Sequence, residues 1–135
     1  MSANTPVPGR FRVLIVDDET GYVDVLKRRL VRRGIQVAAA LSGTEGIRQL
    51  REGRFHTALL DLKMEDMDGI EVLKVFKKMY PEMAVIMLTG HGSEMAAREG
   101  IQCGAFDYLT KPCELEELLE KIYGAMESKG GKEHE

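Results

Sequence analysis

The stretch TALLDLKMEDMDG, residues 57–69, contains the pattern from which the fold can be predicted. It begins with a short apolar run that ends abruptly at Asp61, passes through an acidic loop and closes at Gly69. Residues 69–79 then carry apolar side chains at helical spacing with lysines between them, until Pro81 interrupts the pattern. The stretch is therefore typical of a strand, a loop and a helix in succession.

The same succession recurs along the chain. Short apolar runs predict five strands, at 11–16, 35–40, 56–60, 83–89 and 105–110. Helical patterns follow them at 20–33, after the S-x-x-E box of Ser42 and Glu45, at 69–79, at 93–101 and beyond Pro112. Five βα units with near-continuously apolar strands predict an α/β fold, with a parallel sheet covered by helices on both faces.

Composition limits the classes of function. The chain has 135 residues, 44% of them hydrophobic and 30% charged, which fits one ordinary globular domain. The net charge of −3 lacks the basic excess of a nucleic-acid-binding protein. No apolar run approaches the roughly 20 residues of a membrane span, and the first ten residues lack a signal region. Cys103 and Cys113 lack metal-ligand spacing and suit a reducing compartment, so we expect a cytoplasmic location.

Polar residues collect just beyond four of the predicted strands. Asp17 and Asp18 follow the first strand, Asp61 the third, Thr89 the fourth and Lys111 the fifth. Parallel sheets place their sites at the carboxyl ends of the strands, so these side chains are expected to converge. Clustered carboxylates need a positive charge among them, and an oxygen-rich set favours Mg²⁺ or Mn²⁺. The set suits phosphoryl chemistry, with Asp61 as the candidate nucleophile for an aspartyl phosphate.

The order of four motifs resembles the receiver domain of two-component response regulators. The motifs are VLIVDDE (13–19), LLDLKMEDMDG (59–69), MLTGHG (87–92) and YLTKP (108–112). The resemblance implies a flavodoxin-like, doubly wound (βα)5 sheet of order 2-1-3-4-5 over residues 11–127. Residues 1–10 would form a flexible tail, and 128–135 a second tail or the start of a linker.

The resemblance implies a signalling domain rather than an enzyme. Asp61 would accept a phosphoryl group from a phosphohistidine on a sensor histidine kinase or a phosphotransfer protein. The domain would assist its own phosphorylation and dephosphorylation. Asp18 and Asp61 would bind Mg²⁺ (or Mn²⁺) directly, Asp17 would act through water, and Lys63 would contribute its backbone carbonyl.

Further roles concern the switch that would report phosphorylation. Lys111, joined to Pro112 by a cis peptide that aims its side chain inward, would pair with the acyl phosphate. Thr89 would swing toward the phosphoryl oxygens, and the Tyr108 ring would turn inward with it. Tyr108 also fits an ordinary half-buried strand aromatic. Lys63 and His91 occupy positions that tune the phosphate lifetime in the family, although His91 also fits an ordinary loop histidine.

Glu65 is the main departure from the family, which usually has Pro at this position. Glu keeps its backbone N–H and more freedom in φ. The loop could be looser, or the side chain could simply point to solvent, and we favour the second interpretation. Asp66 and Asp68 are interpreted as turn formers before Gly69.

The output is less constrained than the chemistry. By resemblance, a downstream protein or effector domain would bind the face made by the fourth helix, the fifth strand and the fifth helix, and phosphorylation could also drive homodimerisation. The domain itself would bind neither nucleic acid nor a membrane. The chain could stand alone or be the receiver of a longer transcriptional regulator. A Mg²⁺-dependent phosphatase of the haloacid dehalogenase type is a weaker alternative, because it needs a second Asp where Lys63 stands.

Overall fold

The computed structural model of the protein describes residues 11–90 and 93–134, with side chains through Glu127. The strands are β1 Arg12–Val16, β2 Gln36–Ala40, β3 Thr57–Asp61, β4 Ala84–Thr89 and β5 Asp107–Thr110. The helices are α1 Thr20–Arg32, α2 Gly43–Glu52, α3 Gly69–Met79, α4 Glu94–Gln102 and α5 Leu115–His134. The predicted strands are all present, and their observed ends lie within two residues of the predicted ones.

The five strands form one parallel sheet in the order β2-β1-β3-β4-β5. The chain crosses from one side of β1 to the other between β2 and β3, which is the strand order of a doubly wound sheet. The predicted flavodoxin-like topology is confirmed. The carboxyl ends of β1 and β3 are adjacent at this switch point, which is where such sheets place their ligands.

The sheet separates two hydrophobic clusters, because successive strand side chains point to opposite faces. Leu14 and Val16 lie in the cluster that contains Phe76 of α3, whereas Val13 and Ile15 lie in the cluster of α1 and α5. Strands β3 and β4 are buried along their whole length. Apolar side chains at helical spacing are buried, namely Val23, Leu26 and Leu30 of α1 and Val72, Leu73 and Phe76 of α3.

Two helix ends differ in detail from the sequence prediction. The Ser42 hydroxyl caps α2 by accepting a hydrogen bond from Glu45 N at 3.1 Å, but the Glu45 carboxylate pairs with Arg48. The capping box is therefore only half formed. Helix α5 continues to His134, through polar residues that we assigned to a tail and that include Gly130 and Gly131. Glycine weakens a helix by about 1 kcal/mol relative to alanine without forbidding it.

Predictions for His91 and for the tail at 1–10 lie outside the described residues and stay predictions. The domain boundaries stay predictions as well. Among the described helices, none combines the length and the apolarity that crossing a bilayer would require.

Candidate functional site

The carboxyl ends of four strands meet at one edge of the sheet. Val16 pairs with Leu60 across β1 and β3, so Asp17 and Asp61 are the next residues along neighbouring strands. Both carboxylates are buried, with Asp17 0% and Asp61 6% exposed. At the other side of Asp61, β4 ends at Thr89, whose carbonyl accepts a hydrogen bond from Lys111 N at 2.6 Å. The convergence of Asp17, Asp61, Thr89 and Lys111 is thus the arrangement that the strand ends predicted.

Lys111 supplies the positive charge of this cluster. Its Nζ lies 2.8 Å from Asp17 Oδ2, 2.6 Å from Glu19 Oε1 and 3.8 Å from Asp61 Oδ2. The ammonium also lies 4.5 Å from the centroid of the Tyr22 ring, within the range of a cation–π contact. Burial lowers the pKa of Lys111, but the hydrogen bonds to Asp17 and Glu19 outweigh it and raise the pKa. Lys111 is therefore charged at neutral pH. Its bond to Pro112 is cis, as the resemblance implied.

Asp61 is a buried carboxylate whose charged form is disfavoured. Burial raises the pKa of Asp61 to about 6, against a backbone hydrogen bond from Lys63 that lowers it. The negative charges of Asp17 and Asp18 raise the pKa further, while the Lys111 ammonium lowers it. The Lys63 N–H donates to Asp61 Oδ1 at 3.2 Å. The cluster therefore carries more negative charge than its one lysine offsets.

Asp18 is placed differently from the other carboxylates. Its Oδ2 accepts a hydrogen bond from Glu65 N at 3.2 Å. Among the described residues, the carboxylate oxygens that converge within 4.8 Å of one another come from Asp17, Glu19 and Asp61. The predicted role of Asp18 as a direct metal ligand stays a prediction. Glu65 is exposed, as we expected, and its backbone N–H is a donor that a proline would lack.

Thr89 and Tyr108 lie on neighbouring strands. Thr89 is buried, and its hydroxyl donates to the carbonyl of Leu109 at 3.4 Å, which directs it toward β5. Tyr108 is 37% exposed, so its ring is partly in solvent in this conformation. The inward movement of both side chains on phosphorylation stays a prediction.

The loop between β3 and α3 is tied to a second helix. The Asp66 carboxylate accepts hydrogen bonds from the backbone N–H groups of Gly43 and Thr44, each at 3.0 Å, at the start of α2. These bonds hold the pKa of Asp66 below its ordinary value. Asp68 Oδ1 accepts from Ile70 N at 3.0 Å and caps α3. Asp68 is thus the turn former that we predicted, whereas Asp66 also joins two elements that are distant in sequence.

The same loop is fixed at its base. Leu62 N donates to Leu88 O, and Leu62 O accepts from Gly69 N, both at 3.2 Å. Lys63 forms an isolated antiparallel bridge with Asp68, and its side chain is exposed. The residues that follow the candidate nucleophile therefore have a defined backbone path.

The donor set fits a hard divalent cation. Three carboxylates that approach within 4.8 Å offer the oxygen ligands that Mg²⁺ and Mn²⁺ prefer. Burial is the main cause of the raised pKa of Asp61, and the negative charges of Asp17 and Asp18 add to it, so a cation bound beside Asp61 would favour its ionised form. The residues present therefore fit the metal that the strand-end carboxylates suggested.

Two contacts of Lys111 were not predicted from the sequence. Glu19 is the third acidic residue of VLIVDDE, and its place beside two predicted site residues was a usable signal. Tyr22 gave a weaker signal, because an aromatic residue in the first turn of a helix is ordinarily a core contact. The two contacts themselves became visible once the fold had placed Lys111, which follows β5, at the start of α1.

The whole fold has counterparts in known proteins. The response regulator receiver domain family matches residues 13–123. The transcriptional regulatory protein GlrR of Escherichia coli K12 is 39% identical over 115 residues, covering 85% of this chain and 26% of GlrR. ZraR of Salmonella typhimurium is 35% identical over 120 residues, covering 89% of this chain and 27% of ZraR.

A solved structure agrees over nearly the whole described fold. The response regulator receiver domain protein (CheY-like) from Methanospirillum hungatei JF-1 superposes with a TM-score of 0.86 at 35% identity. The match covers 90% of this chain and 98% of that one. In contrast, the chain spans about a quarter of the length of GlrR and ZraR. The family match runs from β1 into α5 and includes the strand-end cluster, and the chain therefore belongs to the response regulator receiver domain family.

Proposed function

We propose that this receiver domain takes a phosphoryl group from a phosphohistidine onto Asp61. The observation that carries the proposal is the buried Asp61 carboxylate at the tip of β3, with Lys111 Nζ 3.8 Å from it and Asp17 beside it. A sensor histidine kinase or a phosphotransfer protein is the proposed donor. The free thiols of Cys103 and Cys113 suit the reducing cytoplasm, where we place the reaction.

The proposed chemistry is a displacement at phosphorus. An Asp61 carboxylate oxygen attacks the phosphorus, the P–N bond breaks, and its electron pair stays with the departing imidazole. Asp61 must be ionised for this attack, and a pKa of about 6 leaves it mostly ionised at neutral pH. The Lys111 ammonium offsets charge on the phosphoryl oxygens, which is the main contribution a protein makes to such a transfer. Attack by water on the same phosphorus would reverse the modification, with the lifetime tuned at Lys63 and His91.

A divalent cation belongs to the proposed site. As the resemblance implies, Asp18 and Asp61 would bind Mg²⁺ directly, and the backbone carbonyl of Lys63 would be a further ligand. Asp17 would act through water. When bound, the ion would offset charge on the carboxylates and the phosphoryl oxygens. In this structure the Glu65 N–H donates to the Asp18 carboxylate, and Lys111 Nζ donates to that of Asp17.

The proposed switch uses the hydroxyl of Thr89. It donates to the Leu109 carbonyl at 3.4 Å, a long bond that a charged phosphoryl oxygen would replace with a stronger one. Movement of Thr89 would leave room for the Tyr108 ring, which is 37% exposed on β5. The two side chains together would report phosphorylation at the surface.

The proposed output face consists of α4, β5 and α5. Large apolar side chains are exposed there, with Met95 at 84%, Ile101 at 40% and Phe106 at 39%. An effector domain or a downstream protein would cover them, or a second copy would do so after phosphorylation. Because GlrR and ZraR are transcriptional regulatory proteins, we propose transcriptional control as the output, without nucleic-acid contacts from this domain.

Phosphorylation by a small donor tests the proposal directly. Incubation with Mg²⁺ and acetyl phosphate should add one phosphoryl group, detected by intact-mass spectrometry, and Asp61→Asn should remove it. Asp66→Asn is the matched control, because Asp66 lies in the same loop but binds the start of α2. Equal labelling of the wild type and Asp61→Asn would refute Asp61 as the acceptor.

Two further variants separate the proposed roles. Lys111→Ala should leave Mg²⁺ binding largely intact and abolish the phosphorylation-dependent shift of Tyr108 resonances in NMR spectra. Asp18→Asn should weaken Mg²⁺ binding in a calorimetric titration. An Asp18→Asn protein with an unchanged titration would remove Asp18 from the ligand set.

A further inference from the structure

Glu19 makes a contact with Lys111 that the proposed phosphoryl transfer does not require. It is the N-cap residue of α1, yet its side chain makes no capping hydrogen bond. Instead, its Oε1 lies 2.6 Å from Lys111 Nζ. The Glu19 side chain is 62% exposed and that of Lys111 only 13%, so Glu19 contacts the ammonium from the solvent side.

The Glu19 carboxylate competes with Asp61 for the N–H donors of the Lys111 ammonium group. Lysine has three N–H donors, of which Asp17 and Glu19 accept two at 2.8 and 2.6 Å. The 3.8 Å separation between Lys111 Nζ and Asp61 Oδ2 is too long for a hydrogen bond. In this conformation Lys111 is therefore oriented by Asp17 and Glu19, and not by the proposed acceptor.

The position of the Glu19 carboxylate adds a second effect, which also disfavours a phosphoryl group on Asp61. An oxygen of Glu19 lies within 4.8 Å of oxygens of Asp17 and Asp61. A phosphoryl group on Asp61 would bring further negative oxygens next to this carboxylate. Both the competition for Lys111 and the repulsion between like charges therefore oppose the phosphorylated state.

We propose that Glu19 is a positioning residue that keeps Lys111 Nζ out of hydrogen-bonding distance of Asp61 in the unphosphorylated domain and sets how readily the phosphoryl group is accommodated. The inference rests on the proposed function, since it concerns the same acceptor. Loss of the contact frees Lys111 to bind a phosphoryl oxygen. Because Glu19 is largely exposed, the effect is that of a partly screened ion pair, about two- to fivefold in the affinity for a phosphoryl mimic.

The test uses three substitutions. Glu19→Gln removes the charge, and Glu19→Asp keeps it on a side chain one methylene shorter, which as an N-cap residue would also turn toward the α1 backbone. Asp24→Asn is the matched control, because it removes a charge from α1 at a residue paired with Arg28. The contact itself should be read from the Lys111 ammonium signal in ¹H–¹⁵N spectra of the metal-free protein. That signal should shift in both Glu19 variants and stay unchanged in Asp24→Asn.

Affinity for beryllofluoride with Mg²⁺, used as the phosphoryl mimic, gives the second readout. Both Glu19 variants should bind it about two- to fivefold more tightly than the wild type, and Asp24→Asn should match the wild type. If Glu19→Asp bound the mimic like the wild type, charge rather than the contact with Lys111 would explain the data, and the proposal would be wrong. The proposal would also be wrong if Asp24→Asn bound as tightly as Glu19→Gln, because overall charge would then explain the data. An unshifted Lys111 signal in both Glu19 variants would also overturn it. Failure of the wild type to bind beryllofluoride would count against the proposed function, whereas equal binding by wild type and both Glu19 variants would count against the positioning role alone.

Discussion

Replacement of Asp61 by asparagine should stabilise the metal-free domain at neutral pH. The ordinary pKa of the carboxyl is 3.8 and burial raises it to about 6, a difference of roughly two units. At 1.36 kcal/mol per unit, the folded state loses up to about 3 kcal/mol when Asp61 ionises. Asparagine removes the charge and keeps an oxygen that can accept the hydrogen bond from Lys63 N.

The pH dependence follows from the direction of the shift. Because the pKa of Asp61 is higher in the folded than in the unfolded state, its protonation favours folding. That contribution is fully present below about pH 4 and is lost as the pH rises through about 6. The Asp61→Asn protein should therefore exceed the wild type in free energy of unfolding at pH 8, and the difference should vanish toward pH 4.

Urea unfolding followed by circular dichroism, in buffers containing EDTA, measures this difference between pH 4 and 8. Asp66→Asn is the control of opposite sign: hydrogen bonds from Thr44 and Gly43 lower the pKa of Asp66, so its contribution is present at neutral pH and lost on acidification. Saturating Mg²⁺ should stabilise the wild type more than Asp61→Asn. A wild type that is equally or more stable than Asp61→Asn at pH 8 in EDTA would refute the reasoning about burial.

Three further predictions concern the loop and the helix ends. Glu65→Pro removes the backbone N–H that donates to Asp18 and should weaken Mg²⁺ binding several-fold in a calorimetric titration. The control Glu65→Gln keeps that N–H, and its affinity for Mg²⁺ should stay within about twofold of the wild type. Equal Mg²⁺ affinities for the two variants would exclude a role for the N–H. Gly69→Ala would place its Cβ 2.5 Å from the Leu62 backbone, so we expect the free energy of unfolding in urea to fall by about 2 kcal/mol or more. A decrease no larger than the ~0.5 kcal/mol of an ordinary surface substitution would contradict this. Ser42→Ala removes the cap of α2 and should lower the free energy of unfolding by about 1 kcal/mol in the same assay. Ser42→Asp, which can also cap the helix, should restore the stability of the wild type.

The fold was predictable because its signals are local and repeated. Each strand is a short apolar run, and the inward side chains of α1 and α3 recur at helical spacing. The general preferences of βα units predict a parallel sheet, whereas the strand order was predicted from the resemblance alone. The path of α5 beyond residue 127 was missed, because composition suggested a tail where the helix continues.

The site was predictable to the extent that its residues lie at strand ends. Asp17, Asp61, Thr89 and Lys111 follow directly from where the runs stop. Glu19 could not be assigned in the same way, because its role depends on a contact with a residue 92 positions away in the chain. Asp66 was assigned to a turn for the same reason, since its partners belong to α2 rather than to its own loop.

The hydrogen bonds of Asp66 to the start of α2 leave a short segment, residues 62–65, between Asp61 and Asp66 in the loop that joins β3 to α3. Asp61 pairs with Leu88 in the sheet and Asp66 accepts hydrogen bonds from the start of α2, so residues 62–65 link two residues that are each held by other elements. Of these, Lys63 and Glu65 are exposed. If Asp61 is the acceptor that we propose, substitutions of these two exposed side chains would change the surface presented beside it while leaving the hydrogen bonds of Asp66 to α2 in place. An engineer seeking an insulated signalling pair would begin a library there and leave Asp66 untouched.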